Sequence, residues 1–146
     1  MLYSSELDFI ISRDILTSNK YLGCYASDQI PIFQDKTFII LNTDPADKIG
    51  KHWVVLFKEK NNCYEFFDPL GNSPKNYKFK NFPNFAKLKY SSKILQNPFK
   101  NACGYYCLYY VFFKTRGYNL EDIFEKCSVF YSDWYITSKI KYLYSL

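Results

Sequence analysis

The chain has a single histidine, no Cys-x-x-Cys motif and no apolar run long enough to cross a bilayer; the longest, Gly104 to Phe113, is too short. One imidazole without paired thiols leaves no ordinary zinc site, so no metal is expected. The first residues, Met-Leu-Tyr-Ser-Ser-Glu-Leu-Asp, lack a basic stretch and carry acids early, so no secretory signal is expected. Five cysteines (Cys24, Cys63, Cys103, Cys107 and Cys127) are an odd number, which argues against a disulfide framework. At least one thiol is then free, and a nucleophile is worth seeking.

What is present points to a globular domain. A chain of 146 residues makes one domain and buries roughly 70% of its unfolded surface, enough for a core without staples. Hydrophobic residues at 48% against 23% charged exclude a disordered chain. Aromatics reach 21%, with 15 Tyr and 14 Phe. Lys and Asn are abundant too, a spread that fits a genome rich in A and T. The net charge of +5 implies solubility and some affinity for polyanions.

The pattern along the chain predicts an α+β domain, 1–146, in the order helix, sheet, helices. Leu7, Ile10, Ile11 and Ile15 recur at helical spacing up to Leu16, with Ser4 or Ser5 as cap. Tyr21 to Phe33 reads as an extended loop, and Thr37 to Leu41 as a buried strand. His52–Lys58 and Cys63–Phe67 read as an antiparallel hairpin joined through Lys60-Asn61-Asn62. Leu88 to Leu95 suggests another strand. A buried helix runs from near Cys103 to Lys114, and Asn119 caps a short one over Leu120 to Cys127. Ser132 or Asp133 opens the last, with Trp134, Ile136, Ile140 and Leu143 facing inward.

Four residues stand out by position. His52 starts one strand of the hairpin and Asp68 ends the other, so both side chains emerge at one sheet edge. Cys103 begins the buried helix, where unpaired N–H groups and the helix dipole favour a thiolate. Gln96 lies on the connection into that helix. A thiolate attacks, an imidazole stabilises it and later delivers a proton, and a carboxylate fixes the imidazole. The Cys103 N–H and the Gln96 amide suit an oxyanion. Each residue alone has an ordinary structural explanation; their joint order does not.

These residues resemble a known family. Gly50-Lys-His-Trp, Phe66-Phe-Asp-Pro-Leu-Gly71, Gln96 and Asn101-Ala-Cys-Gly-Tyr-Tyr-Cys107 are similar to motifs of the adenain-type cysteine endopeptidases of adenoviruses, related to the proteases of SUMO-like modifiers. The similarity begins at Tyr21-Leu-Gly23 and Ile40-Leu-Asn-Thr43 and runs from about residue 20 to residue 115. The resemblance implies His52 as base, Cys103 as nucleophile, Asp68 as the orienting acid and Gln96 as oxyanion donor. Adenain has Glu where this chain has Asp68; the SUMO-type enzymes have Asp. It also implies a papain-like architecture with permuted chain order, a central mixed or antiparallel sheet flanked by helices. The implied activity is cleavage of viral structural protein precursors during virion maturation, beside small residues such as Gly. Asn42 and Gly50 match positions near the family's cleft.

No cofactor is expected. The disulfide-linked activating peptide of adenain has no counterpart cysteine here, since Pro69 to Ala102 contains none. From Lys58 to Lys100 nine lysines face only Glu59, Glu65 and Asp68, a net +6 with Tyr77, Phe79, Phe82, Phe85 and Tyr90 interleaved. Such a stretch suits sequence-independent DNA binding, and the resemblance adds stimulation by DNA; a solvated lysine face with aromatics tucked inward is the other reading. A monomer without membrane contact is expected, intracellular, in the host nucleus or cytoplasm and packaged in the virion. A protease of ubiquitin-like modifiers, an acyltransferase of the same clan and a non-catalytic basic nucleic-acid-binding module stay open as alternatives.

Overall fold

The computed structural model describes residues 1–84, 87–97, 101–125 and 132–146. Helices α1 (Ser4–Ser12) and α2 (Ile15–Ser18) lead into strands β1 (Tyr21–Tyr25), β2 (Thr37–Asn42), β3 (Trp53–Lys58), β4 (Tyr64–Phe67) and β5 (Leu88–Tyr90), followed by helices α3 (Cys103–Lys114), α4 (Leu120–Ile123) and α5 (Ser132–Leu143). The five strands form one mixed sheet in sequence order. The central pairs β2–β3 and β3–β4 are antiparallel, and the outer pairs β1–β2 and β4–β5 are parallel. The domain is α+β, with a mixed sheet and helices.

Alternation in β2 and β3 divides the core in two. Phe38, Ile40, Val55, Phe57 and Phe67 face the helices, while Ile39, Leu41, Val54, Leu56 and Phe66 face the opposite side. Helix α3 lies on the first face and is buried nearly all round, Tyr106, Cys107, Leu108, Tyr110 and Val111 being fully enclosed. Its buried phenols find partners, as enclosed hydroxyls must. Tyr110 donates to Glu65 Oε1 at 2.5 Å, and Tyr106 to Leu95 O at 3.0 Å. The second face is covered by Ile30, Phe33, Tyr77, Phe79 and Phe82, from segments without long regular structure.

The hairpin turn follows from its sequence. Asn61 and Asn62 both take the left-handed conformation (φ 60° and 57°) that asparagine tolerates better than most residues. Elsewhere the structure departs from expectation. The first helix stops at Ser12, because Asp14 accepts from Thr17 N and starts the separate α2. Its N-terminus is held by Glu6, which accepts from Tyr3 N at 2.9 Å, rather than by Ser4 or Ser5. Tyr21–Tyr25 is an edge strand and not a loop, and the last strand is confined to Leu88–Tyr90. Trp134 is 75% exposed, against expectation; Ile136 and Ile140 are buried as expected, Leu143 packs against the core partly buried, and Tyr144 follows. Asn119 does cap α4, accepting from Asp122 N at 2.9 Å. That helix ends at Ile123, with Phe124 and Glu125 in a turn, short of the predicted Cys127, which lies outside the described residues, as do Phe85, Pro98 and Lys100.

Candidate active site

Sheet register sets the positions of the histidine and the acid. Val55 pairs with Phe67 and Leu56 with Phe66, so the same register carried on sets Asp68 opposite Val54. His52, which directly precedes β3, is two residues from Val54 on the same side, a diagonal offset that an imidazole can bridge. It does so: His52 Nε2 lies 2.7 Å from Asp68 Oδ1, with both side chains buried. This contact leaves Nδ1 as the ring nitrogen for another partner.

Helix α3 brings Cys103 to the same edge. Cys103 is the first helical residue after Ala102, and its N–H is among those with no acceptor inside the helix. The Trp53 N–H donates to Cys103 Sγ at 3.4 Å, which ties the nucleophile candidate to the residue directly after His52. Burial works against a charged His52, but hydrogen bonds to Asp68 and to Cys103 and the charges of both outweigh it, lifting the imidazole to about 9. Near neutral pH the ring is therefore an imidazolium, bonded to the Asp68 carboxylate.

Asp68 is itself held on three sides. Besides His52, Leu70 N donates to its Oδ1 at 2.8 Å and the Tyr77 hydroxyl donates to its Oδ2 at 2.5 Å. Asn72 Nδ2 donates in turn to the Tyr77 oxygen at 3.0 Å. Burial and the neighbouring carboxylate keep the phenol protonated and a donor. The Tyr77 ring also lies 6.4 Å from the His52 ring, tilted 33°. In the sequence Tyr77 reads only as an interleaved aromatic. Nothing in its local sequence marks it, because its link to Asp68 depends on how residues 69–76 turn back.

Gln96 is buried, and the structure anchors its main chain to the turn that follows Asp68. Leu95 N and Gln96 N both donate to Pro69 O, at 2.9 and 3.0 Å. Gly71 permits this approach: its φ is +74°, and a Cβ there would lie 2.6 Å from Ser92 O. A similar constraint acts at Gly50, where φ is +91° and a Cβ would come 2.5 Å from Asn42 Nδ2. His52, Asp68 and Cys103 are thus brought together, and Gln96 is brought beside the turn carrying Asp68.

Two clefts approach this edge. One of about 310 Å³ is lined by Leu2, Asn42, Ile49, Gly50 and Trp53 among others. A second, of about 660 Å³, is lined by Asp44, Lys51, Tyr77 and Lys78 among others. His52 falls in the chain between Lys51 and Trp53, which line one cleft each. Among the described residues no group of three or more His, Cys, Asp and Glu is arranged to hold a metal ion, and no helix is long and apolar enough to cross a membrane.

Cys24 is partly buried beside Tyr21, whose hydroxyl is 3.0 Å from its sulfur, and burial pushes its thiol up to about 12. A thiol so raised is a poor nucleophile near neutral pH.

No protein-family model matches the chain, and no curated protein matches it either. Among solved structures it is similar to the crystal structure of the ASFV pS273R protease in selenomethionine form, with a TM-score of 0.43 and 20% identity. The match covers 73% of this chain and 43% of that one, so the chain spans less than half of that protein's length. A likeness so distant fixes neither fold nor chemistry, and both stand on the residues described above.

Proposed function

We propose that this chain is a cysteine endopeptidase, with Cys103 as nucleophile, His52 as acid and base, Asp68 as orienting carboxylate and Gln96 as oxyanion donor. The observation that carries this reading is one imidazole bonded to a buried carboxylate at 2.7 Å, with a cysteine sulfur at a helix start held at 3.4 Å by the N–H of the very next residue. An imidazolium there stabilises the sulfur anion, as does the helix N-terminus. The thiolate attacks the scissile carbonyl carbon, and the carbonyl electron pair moves onto oxygen. That oxyanion meets the Cys103 N–H and the Gln96 amide. As the tetrahedral species collapses, His52 gives its proton to the leaving amine, so a neutral amine departs and a thioester remains. Water, deprotonated by the now neutral His52, attacks the thioester carbonyl; the C–S bond breaks, the acyl group leaves as the carboxylic acid product, and the thiolate–imidazolium pair is restored.

The proposed substrates are precursor proteins of a virus or virus-like element, cut beside small residues such as Gly. The motif resemblance supports this choice. The architecture we propose is the papain-like one in permuted chain order, with the histidine strand, acid turn and cysteine helix following one another along the chain.

The test is an electrophilic peptide ending in Gly. Cys103 is expected to be labelled, with the label lost in Cys103→Ala and reduced by about 10³-fold or more in His52→Ala. Gln96→Ala is expected to cut turnover about a hundredfold, the usual cost of one oxyanion donor. A Cys103 that reacts no faster than free cysteine between pH 5 and 8 would end the protease reading.

A further inference from the structure

Cys107 has no part in the chemistry above, yet it reaches the same strand residue as the nucleophile. It lies one turn after Cys103 on α3, on the same face, and is fully buried. Its thiol donates to the Trp53 carbonyl oxygen at 3.4 Å, while the Trp53 N–H donates to the Cys103 sulfur at 3.4 Å. The indole of Trp53 is held as well, its Nε1–H donating to Leu2 O at 2.9 Å. Leu2 in turn packs on the helix next to the nucleophile, where a Cβ at Gly104 would come within 3.1 Å of its Cδ1. Trp53 is therefore gripped at its N–H, its carbonyl and its ring.

Resting on the protease reading, we infer that Cys107 is a positioning residue: by holding the Trp53 carbonyl it fixes the N–H that meets the Cys103 sulfur. The physical reason is spacing. Helix α3 carries the nucleophile and the histidine directly precedes β3, and the two elements meet across a packed interface with no covalent link. A bond from each of two successive turns of the helix to one strand residue sets both distance and twist between the two elements. A single contact would leave rotation free. A small misplacement of reacting groups is costly, so such a clamp acts on rate rather than on fold alone. Burial drives the Cys107 thiol well above its ordinary range, which keeps the proton on sulfur and the group a donor. Valine would fill a similar space and donate nothing; serine would donate as cysteine does.

The experiment compares Cys107→Ala and Cys107→Ser in the full chain. One readout is hydrogen exchange of the Trp53 amide by NMR. The other is the rate at which iodoacetamide alkylates Cys103 at pH 7, located by peptide mass mapping. In Cys107→Ala, Trp53 exchange is expected to quicken about tenfold and Cys103 alkylation to slow about tenfold, the scale of one lost hydrogen bond. Cys107→Ser is expected to restore both to within about threefold of the parent. If Cys107→Ala leaves both readouts within about twofold, or Cys107→Ser falls as far as Cys107→Ala, the clamp is refuted and Cys107 merely fills space. The two failures separate cleanly. An unreactive Cys103 in the parent chain ends the protease reading, whereas the Trp53 amide reports on the Cys107 bond whether or not the chain cuts peptides.

Discussion

The two faces of the sheet are covered by different means. Helix α3 lies along one, presenting buried aromatic and aliphatic side chains in regular succession, and its first residue is Cys103. The other is covered by aromatic side chains from irregular segments, Phe33, Tyr77, Phe79 and Phe82, with Phe79 and Phe82 packed edge to face on Phe66. Helix dipole and rigid packing suit the face that holds a nucleophile. The irregular cover does something else, since its turns bring Tyr77 back onto Asp68. The candidate site sits at the edge where the two meet, with the thiol supplied from one side and the support of the acid from the other. A sheet can thus be closed without a second helical layer, provided that enough aromatic area is laid on it.

The largest effect expected is on stability, and it separates the faces directly. Phe67 on the helical side is 1% exposed and stacks between Tyr110 at 4.7 Å and Phe124 at 5.0 Å. Phe67→Ala is expected to cost about 3–5 kcal/mol in urea unfolding. Phe79, only partly buried on the other side, is expected to cost about 1–2 kcal/mol as Phe79→Ala, because a half-exposed ring gives up less transfer energy. Phe79 also touches Tyr77, with ring centroids 5.6 Å apart, so Phe79→Ala is expected to lose more peptidase activity than its stability cost explains. Equal losses of stability at the two positions would abolish the distinction.

The next effect lies on the edge itself. His52 in the folded chain holds its proton up to about 9, against about 6.5 when unfolded. Between those values the folded state binds more protons, so stability falls as pH rises. The contribution of the His52–Asp68 pair, at most about 3 kcal/mol, is fully present below about pH 6.5 and lost through about pH 9. Unfolding of parent and His52→Gln at pH 6, 7.5, 9 and 10 measures it: the gap between them is expected to shrink steadily. Peptidase activity is expected to fall over the same alkaline range, as the imidazolium partner of the thiolate disappears. A gap that widens with pH would show the histidine buried as a neutral ring.

Tyr77→Phe sharpens the contrast on a smaller scale. It deletes one hydroxyl from Asp68 and keeps the ring against Phe79, so the loss in stability is expected to stay near about 1 kcal/mol. Turnover is expected to drop about tenfold with little change in KM, since Asp68 then orients the imidazole less firmly. A change in KM alone would mean that Tyr77 lines the substrate path and does not support the acid.

The hairpin and its two charged ends are legible in the sequence because period-two alternation in β3 and β4 leaves only one register that buries both strands, and that register fixes where His52 and Asp68 emerge. The start of α3 is legible from an unbroken apolar run. Strand β1 is not, since it is an edge strand of mixed exposure whose register slips between Tyr21 and Cys24, around Gly23. Trp134 misleads because its size suggests burial: it precedes Ile136 by two residues, about 200° around a helix, and so lies away from the Ile136–Ile140–Tyr144 stripe. Tyr77 and Cys107 are invisible as functional residues for a common reason. Each acts through a contact with a residue distant in sequence or on another element, and no spacing rule encodes that.

The smallest effect concerns the lysine-rich stretch, where the irregular face meets solvent. Its aromatics Tyr77, Phe79 and Phe82 are packed on the core, and several of its lysines are engaged: Lys58 with Phe33 O and Asp35, Lys89 with Glu121, Lys93 with Phe124 O. Lys78 and Lys80 are exposed at the second cleft, and Lys75, a few residues before them, is exposed as well. If DNA binds this face, lysine–phosphate contacts are therefore expected to dominate, without stacking by those three rings. About three such contacts give a slope near −3 for log affinity against log salt on duplex DNA, with little preference among sequences. Fluorescence anisotropy at several salt concentrations measures it, and reversing Lys75, Lys78 and Lys80 to Glu is expected to abolish the slope while leaving Tm nearly unchanged. Single strands bound much more tightly than duplex, with weak salt dependence, would instead require exposed rings, of which Tyr90 is the candidate on this stretch. That result would place the nucleic acid along β5, away from the lysine cluster by the second cleft.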